Sequence, residues 1–271
     1  GGGILMSRPG RPEGERRRAK HQGMAASDVL PAPAWRELIE RASAAYRPAG
    51  RFALNFARGK LRWDPVFRHL LAHGLIAPRS RVLDIGCGQG LLASLLEAAD
   101  DHARRGRWPP GWAPPPAGVR LTGIELSERD VARARDALGD GADFVCGDMR
   151  SVAFPAADTV VILDVLHYVE RREQDEVLAR VRDALGAGGT LVLRVGDAAS
   201  RRRFAASHWV DRVVFRLRGC RARPQAGRPV SDWIAHLVGL GFEVKDRPMS
   251  QGTPFANVLL VGTLAPSRSA S

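Results

Sequence analysis

RVLDIGCGQG, residues 81–90, is the stretch on which the fold turns. It is a short apolar run with a carboxylate, Asp84, inside it, and it closes on glycines at alternate positions, Gly86, Gly88 and Gly90. LLASLLEAA follows at 91–99 with apolar residues at helical spacing, so the segment reads as strand, tight turn, helix. Glycines in such a turn let the backbone take positive φ and let a ligand approach without meeting a Cβ. The spacing Gly-x-Gly-x-Gly differs from the GxGxxG of dinucleotide sites. A carboxylate in the preceding strand suits a pyrophosphate poorly and suits a ligand carrying ammonium and sulfonium charges well.

Outward from that turn the chain alternates strand and helix. VRLTGIE (119–125), ADFVCGD (142–148), DTVVILD (158–164) and TLVLRV (190–195) read as strands, with RDVARARDAL (129–138) and EQDEVLARVRDAL (173–185) as helices between them. SDWIAHLVGLG (231–241) is a further helix, and GFEVKD (241–246) and FANVLLVGTL (255–264) close the pattern as strands. This order predicts a Rossmann-like α/β fold: a seven-stranded, mostly parallel sheet with helices on both faces and an antiparallel C-terminal edge strand.

Two helices are expected before the core, from Ala34 to Tyr46 and from Trp63 to His73, separated by Arg47, Pro48, Gly50 and the basic run Arg58 to Arg62. The predicted organisation is a disordered basic extension (1–30), a helical cover (31–80), a core (81–265) and a flexible tail (266–271). Two insertions interrupt the core. Residues 101–118 carry five prolines, which exclude a helix and disfavour strand pairing, and read as a surface excursion or as a contact made through Trp108 and Trp112. Residues 197–228 form a basic insertion.

Ligands of a parallel α/β sheet collect at the carboxyl ends of its strands. Glu125 closes the second strand, where a carboxylate can accept both hydroxyls of a ribose, and Ser127 beyond it can cap the next helix. Asp148 follows the third strand and can accept from an adenine amine, with Met149 packing on the base or offering its amide. Each of these carboxylates could instead serve only its own turn.

On these residues the chain resembles the class I methyltransferase family: VLDIGCGQG (82–90), GIELS (123–127), CGDM (146–149) and ILDVLHYV (162–169) match its four motifs in order. The resemblance, which covers about Val82 to Leu264, implies S-adenosyl-L-methionine as cofactor. It also implies a binding set of Asp84, Gly86, Cys87, Gly88, Gly90, Glu125, Leu126, Asp148, Met149 and Asp164, the last flanking the methionine portion beside the acceptor. No metal is implied. A fainter similarity, carried by KLRWDPVF (60–67) and GLLASLL (90–96), is to methyltransferases encoded beside bacterial aryl-polyene pigment genes. It implies a phenolic or related acceptor, free or held on an acyl carrier protein.

Methyl transfer needs alignment, exclusion of water and, for a hydroxyl acceptor, a base. His167, after the fourth strand, has the pKa class for that base, or it fills a polar gap. Tyr168 can stack on an aromatic acceptor or pack in the core. Arg194 ends the fifth strand and can bind an acceptor carboxylate or pair structurally. The position after the fourth strand holds Asp164, Val165, Leu166 and His167 in place of the [DN]PP[YFW] of the resembled amino-methylating DNA enzymes. A Pro-Cys nucleophile and the acidic hairpin of arginine methyltransferases are also missing, which leaves small-molecule O-methylation as the expected chemistry.

The formal net charge of +12 is concentrated. Residues 1–23 hold six basic residues against Glu13 and Glu15, and residues 194–228 hold ten arginines against Asp197 and Asp211. Such a face can steer an acidic carrier protein or an anionic membrane, and residues 201–223 are expected to form a partly helical surface of that kind over the acceptor entrance. RNA is the rival partner, and a non-catalytic cofactor-binding scaffold is the rival role. No run of 18 apolar residues occurs and the N-terminus has no apolar signal core, so a cytoplasmic protein is expected, with Met24 a candidate start. Three scattered cysteines suggest neither a disulfide framework nor a zinc site, and Cys87 and Cys146 are expected to be buried thiols.

Overall fold

A computed structural model describes residues 32–196, 228–250 and 257–266. Seven strands form one sheet in the order β3-β2-β1-β4-β5-β7-β6. They are β1 (Arg81–Ile85), β2 (Arg120–Glu125), β3 (Asp143–Cys146), β4 (Ala157–Leu163), β5 (Leu185–Gly196), β6 (Phe242–Pro248) and β7 (Asn257–Leu264). The pairs β1–β2, β1–β4, β2–β3 and β4–β5 are parallel, whereas β5–β7 and β6–β7 are antiparallel. The expected Rossmann-like sheet is therefore present. The last strand in sequence is inserted between β5 and β6, which leaves β6 at the edge.

Alternation along the strands divides the apolar side chains between two cores. Val82, Val161, Val192 and Leu259 face one side, while Leu83, Ile85, Val160, Ile162, Leu191, Leu193 and Leu260 face the other. The first core is closed by α1 (Ala32–Ala44), α2 (Arg51–Trp63), α3 (Pro65–Ala72), α4 (Leu91–Arg104) and α5 (Glu128–Leu138). The second is closed by α6 (Arg171–Ala184) and α7 (Val230–Gly239). Chain order reverses between β1 and β4, so the ligand crevice of this topology opens at their carboxyl ends.

Before the sheet the structure corrects the sequence reading. Residues 51–63, including the basic run expected to separate two helices, are themselves α2. Ala53, Ala57 and Leu61 recur at a spacing of four and bury one stripe, which outweighs the cost of Gly59 in the helix. Asp64 stops α2 and starts α3: its side chain accepts the Val66 amide, and Pro65 occupies the first helical position, where no amide is missed. Three hydrogen bonds then fasten α1, the turn after it and α2 to the core. Tyr46 Oη donates to the Gln89 carbonyl at 2.8 Å, Gln89 Nε2 to the Ala53 carbonyl at 2.9 Å, and Ser94 Oγ to the Ala42 carbonyl at 2.7 Å.

The proline-bearing insertion also departs from expectation. Helix α4 runs through Arg104, so the first residues of 101–118 are helical, and the remainder is packed instead of being a free excursion. Trp112 is buried between Trp35 (ring centroids 6.3 Å apart) and Trp108 (5.5 Å), and the Ala113 amide donates to the Ala72 carbonyl at 3.1 Å. Cys146 proves exposed, since it ends β3, an edge strand of the sheet; Cys87 is buried as expected. The segment 201–223 and Cys220 lie outside the described residues.

Since Trp112 is buried and anchors the insertion to Trp35 of α1, Trp112→Ala should lower unfolding free energy by about 3–5 kcal/mol. Urea unfolding followed by fluorescence, with the slope unchanged, is the check; a loss under about 1 kcal/mol would mean that the loop is held by its backbone alone.

Candidate functional site

Short turns at the ends of β1 to β5 bring the candidate residues to one edge of the sheet. In the first turn the Gly86 amide donates to the Ile124 carbonyl at 2.8 Å, folding the chain back over β2. Gly86 has φ +76°, and a Cβ there would stand 2.4 Å from Val165 Cγ1, so the turns after β1 and β4 touch only because this position has no side chain. Gly88 has φ +57° and would point a Cβ into open space: its glycine serves the backbone conformation and leaves room beside the turn.

Glu125 is the hinge between this turn and the next. Its Oε2 accepts the Gly88 amide at 2.9 Å and its Oε1 accepts the Ser127 amide at 2.9 Å. Ser127 in turn caps α5 through its Oγ. Each carboxylate oxygen retains a further lone-pair position. Leu126, beside it, is strongly exposed at 61%.

Asp84 is buried one strand away. Burial, and secondarily the charge of Glu125, pushes its carboxyl up to about 7. Burial first, then Asp84 and Glu125, likewise pushes the Cys87 thiol well above its ordinary value, which keeps it protonated and unreactive.

Asp148, after β3, is gripped by a neighbour that sequence reasoning passed over. Arg150 donates from Nε to both carboxylate oxygens at 3.0 and 2.9 Å and from Nη2 at 2.6 Å, and it also reaches Glu173 at 2.9 Å. These hydrogen bonds hold the Asp148 carboxyl below its usual range. Met149 packs against the second core, and its carbonyl accepts from Arg180 at 2.8 Å.

After β4, Asp164 has φ +59°, a left-handed conformation uncommon for a residue with a side chain. Arg194 Nε donates to its Oδ1 at 2.8 Å, and Nη2 pairs with its Oδ2. The same guanidinium turns to Asp64, with Nη2 donating to Oδ2 at 2.7 Å and Nη1 pairing with Oδ1. Lys60 Nζ stands 2.8 Å from Asp64 and 3.8 Å from Asp164. Burial opposes ionisation of Asp64, yet the charges of Arg194 and Lys60 hold its carboxyl well below the usual range. Burial likewise opposes the Arg194 charge, and Asp164 and Asp64 override it. With its side chain 2% exposed and its donors committed to two carboxylates, Arg194 is not placed to receive an acceptor from solution.

His167 and Tyr168 lie in a single 3₁₀ turn, Leu166–Tyr168, with ring centroids 4.0 Å apart. Gln174, buried on α6, sets this turn by donating to the carbonyls of Leu166 and Val169, each at 3.1 Å. Among the described residues no cluster of three or more His, Cys, Asp or Glu is placed to hold a metal, and no helix is long and apolar enough to cross a membrane.

Residues 83–191 match the family described as Methyltransferase domain. Solved structures agree over more of the chain. A chain of the Haloferax volcanii complex between the Trm112 methyltransferase activator and a methyltransferase superposes with TM-score 0.57 at 17% identity, over 83% of this chain and 98% of that one. An O-methyltransferase family protein from Burkholderia thailandensis gives 0.56 at 20% identity, over 85% and 64%. The fold is that of the class I S-adenosylmethionine-dependent methyltransferases.

Among curated proteins, the carboxy-S-adenosyl-L-methionine synthase of Chromohalobacter salexigens is 35% identical over 130 residues, 44% of this chain and 43% of that protein. That of Actinobacillus succinogenes is 28% identical over 129 residues, 46% of this chain and 48% of that protein. The chain thus spans under half the length of the curated relatives it matches.

Within this methyltransferase fold the raised Asp84 carboxyl has a consequence for stability. Its folded pKa of about 7 exceeds the unfolded value of 3.8, so the folded state binds more protons between those limits and loses stability as pH rises through them. Asp84→Asn removes this penalty. In the ligand-free protein the variant should gain little near pH 4 and progressively more up to pH 7, to a limit of about 4 kcal/mol at one pKa unit per 1.36 kcal/mol. Chemical denaturation across that range reads the difference, and a gain independent of pH would show that Asp84 is already ionised.

Proposed function

We propose that the chain transfers a methyl group from S-adenosyl-L-methionine to a small-molecule acceptor, at a hydroxyl or carboxyl oxygen of an aromatic or polyene-type metabolite. The observation that carries the cofactor assignment is the pairing of Gly88 with Glu125. A left-handed glycine faces open space, its amide is spent on a carboxylate, and that carboxylate keeps unused lone pairs on both oxygens. This donor set fits a ribose diol. The buried Asp84 carboxyl fits the ammonium of the methionine portion, whose positive charge would offset the burial that now raises its pKa. Leu126 and Met149 offer apolar surface for a base, and Asp148, whose two oxygens each accept two bonds from Arg150, would meet its amine by exchanging one of them.

S-adenosyl-L-methionine when bound supplies an electrophilic methyl group on a sulfonium, and the residues of the chain align the partners and manage the proton. Glu125, Gly88 and Asp84 orient the donor, and Asp164 flanks its methionine end. His167 takes the acceptor proton, and Tyr168 stacks on the acceptor ring. Arg194 serves through Asp164, in place of the direct contact with an acceptor carboxylate that the sequence suggested. Delivery of the acceptor by an acidic acyl carrier protein or at an anionic membrane would use the basic segment 197–228, all but one residue of which lies outside the described residues. Methylation of RNA and a non-catalytic scaffold role are the competing readings of that segment. The curated relatives add a competing ligand, the carboxylated form of the same donor.

Titration calorimetry with S-adenosylmethionine, its demethylated product, carboxy-S-adenosylmethionine and NAD separates these readings. Either of the first two should bind and NAD should not. Glu125→Ala should weaken binding by about ten- to a hundredfold through the loss of two hydroxyl contacts. Micromolar NAD binding without binding of the sulfur ligands would reject the cofactor assignment, and preference for the carboxylated donor would favour the relatives' chemistry.

Labelled methyl transfer to cell extracts separated into small-molecule, carrier-protein and RNA fractions then identifies the acceptor. With that acceptor, His167→Gln should lower kcat about a hundredfold while leaving cofactor affinity within about twofold, since a base acts at the transition state. Retained turnover would assign His167 to packing against Tyr168.

A further inference from the structure

Asp64 belongs to the helical cover, Arg194 to the end of β5 and Asp164 to the turn after β4, so one buried guanidinium joins three elements far apart in sequence. The charges balance only as a set: Arg194 and Lys60 against Asp64 and Asp164. Asp164 sits in a left-handed conformation that a side chain disfavours, and it is the less buried of the two carboxylates, 29% exposed against 9%. A conformation of that kind persists where its surroundings over-determine it. The bidentate hold of Arg194 does this, and Arg194 is itself aimed by Asp64.

We infer that Asp64 and Arg194 are positioning residues for Asp164, so that the seating of α2 and α3 on the core and the geometry of the acceptor edge form a single equilibrium. Giving that edge to the acceptor rests on the function proposed above, whereas the clamp rests on the ion-pair geometry alone. When the cover lifts, Asp64 leaves, one face of the guanidinium loses its partner in a buried setting, and Asp164 is free to leave its left-handed state. The cover thereby acts on the reacting end of the site. The ribose end, held by Glu125 through backbone amides of Gly88 and Ser127, takes no part in the clamp.

Asp64→Asn is the informative variant, because the amide oxygen can still cap α3 while the charge facing Arg194 is removed. Hydrogen exchange of the full, ligand-free chain is read at the amides of Asp164, Tyr168 and Val169, which donate to the carbonyls of Arg194, Val165 and Leu166. Their exchange should rise about tenfold or more, with the amides of β1 and Gly86 changed less than about twofold. Lys60→Gln leaves Asp64, Arg194 and Asp164 in place and should change those three amides by less than about threefold. Should Asp64→Asn not fold, Asp64→Glu, which keeps the charge and shifts it by one methylene, must raise the same amides by a smaller factor.

A rise confined to residues 64–72 would reduce Asp64 to a helix cap and overturn the inference, as would a uniform rise across the sheet. In the methyl-transfer assay Asp64→Asn should lower kcat about tenfold or more, with the dissociation constant of the demethylated cofactor within about twofold and partial rescue by Asp64→Glu. A parallel loss of cofactor affinity would contradict it. Failure of the wild-type chain to bind any sulfur ligand would sink the proposed function alone, since the exchange measurement still decides the clamp.

Discussion

The Rossmann-like core is joined to its cover by a buried cation, Arg194, shared between Asp64 and Asp164. A guanidinium withdrawn from water is costly unless its donors are met, and leaving one partner unpaired typically costs about 3–5 kcal/mol. This constraint fixes three things at once: where α2 ends and α3 begins, the side on which the cover lies, and the unusual backbone of Asp164. The hydrogen bonds of Tyr46, Gln89 and Ser94 fasten α1, the turn after it and α2 to the glycine turn and α4. Cover and site are thus built from shared contacts.

Around this tie the candidate edge is shaped by what glycine omits. Gly86 lets the first and fourth turns touch through Val165, and Gly90, at φ +78°, faces the Phe144 ring closely enough that a Cβ would stand 2.8 Å from it. Gly88 instead opens toward free space, so among the three only this turn position leaves volume for a ligand. Two carboxylates meet there in different surroundings: Asp84 buried and drawn toward neutrality, Glu125 partly buried and bonded to two amides. The proposed donor would set its cationic end against the first and its diol against the second.

The sheet, and the gathering of Asp84, Gly88, Glu125 and Asp164 at one edge of it, were legible because their signals are local. RVLDIG, TGIE and VVILD are apolar runs that end on acidic or glycine positions, and the periodicity of 91–99, 129–138 and 173–185 is helical throughout. Helix α2 was obscured by Gly59 and five consecutive positions rich in charge, although the Ala53, Ala57, Leu61 spacing carried the information. Arg194 stayed open between a ligand contact and structural pairing because a strand-end arginine in sequence shows no partner, and Asp64 lies 130 positions earlier. The same holds for Trp112, buried by Trp35 across the cover, while Arg150 lay only two residues from Asp148 and was missed because side-chain pairing within a turn leaves no periodic trace. Burial and long-range pairing decide these residues, and neither is written in local pattern.

A crystal structure of the chain with the demethylated cofactor tests most directly whether the edge built by Gly88 and Glu125 is a methyltransferase donor site. Both ribose hydroxyls should lie within hydrogen-bond distance of the two Glu125 oxygens, with Gly88 still left-handed and the ligand ammonium at Asp84. A ligand bound elsewhere, with the Glu125 carboxylate still bonded only to the Gly88 and Ser127 amides, would show that this carboxylate merely braces two turns.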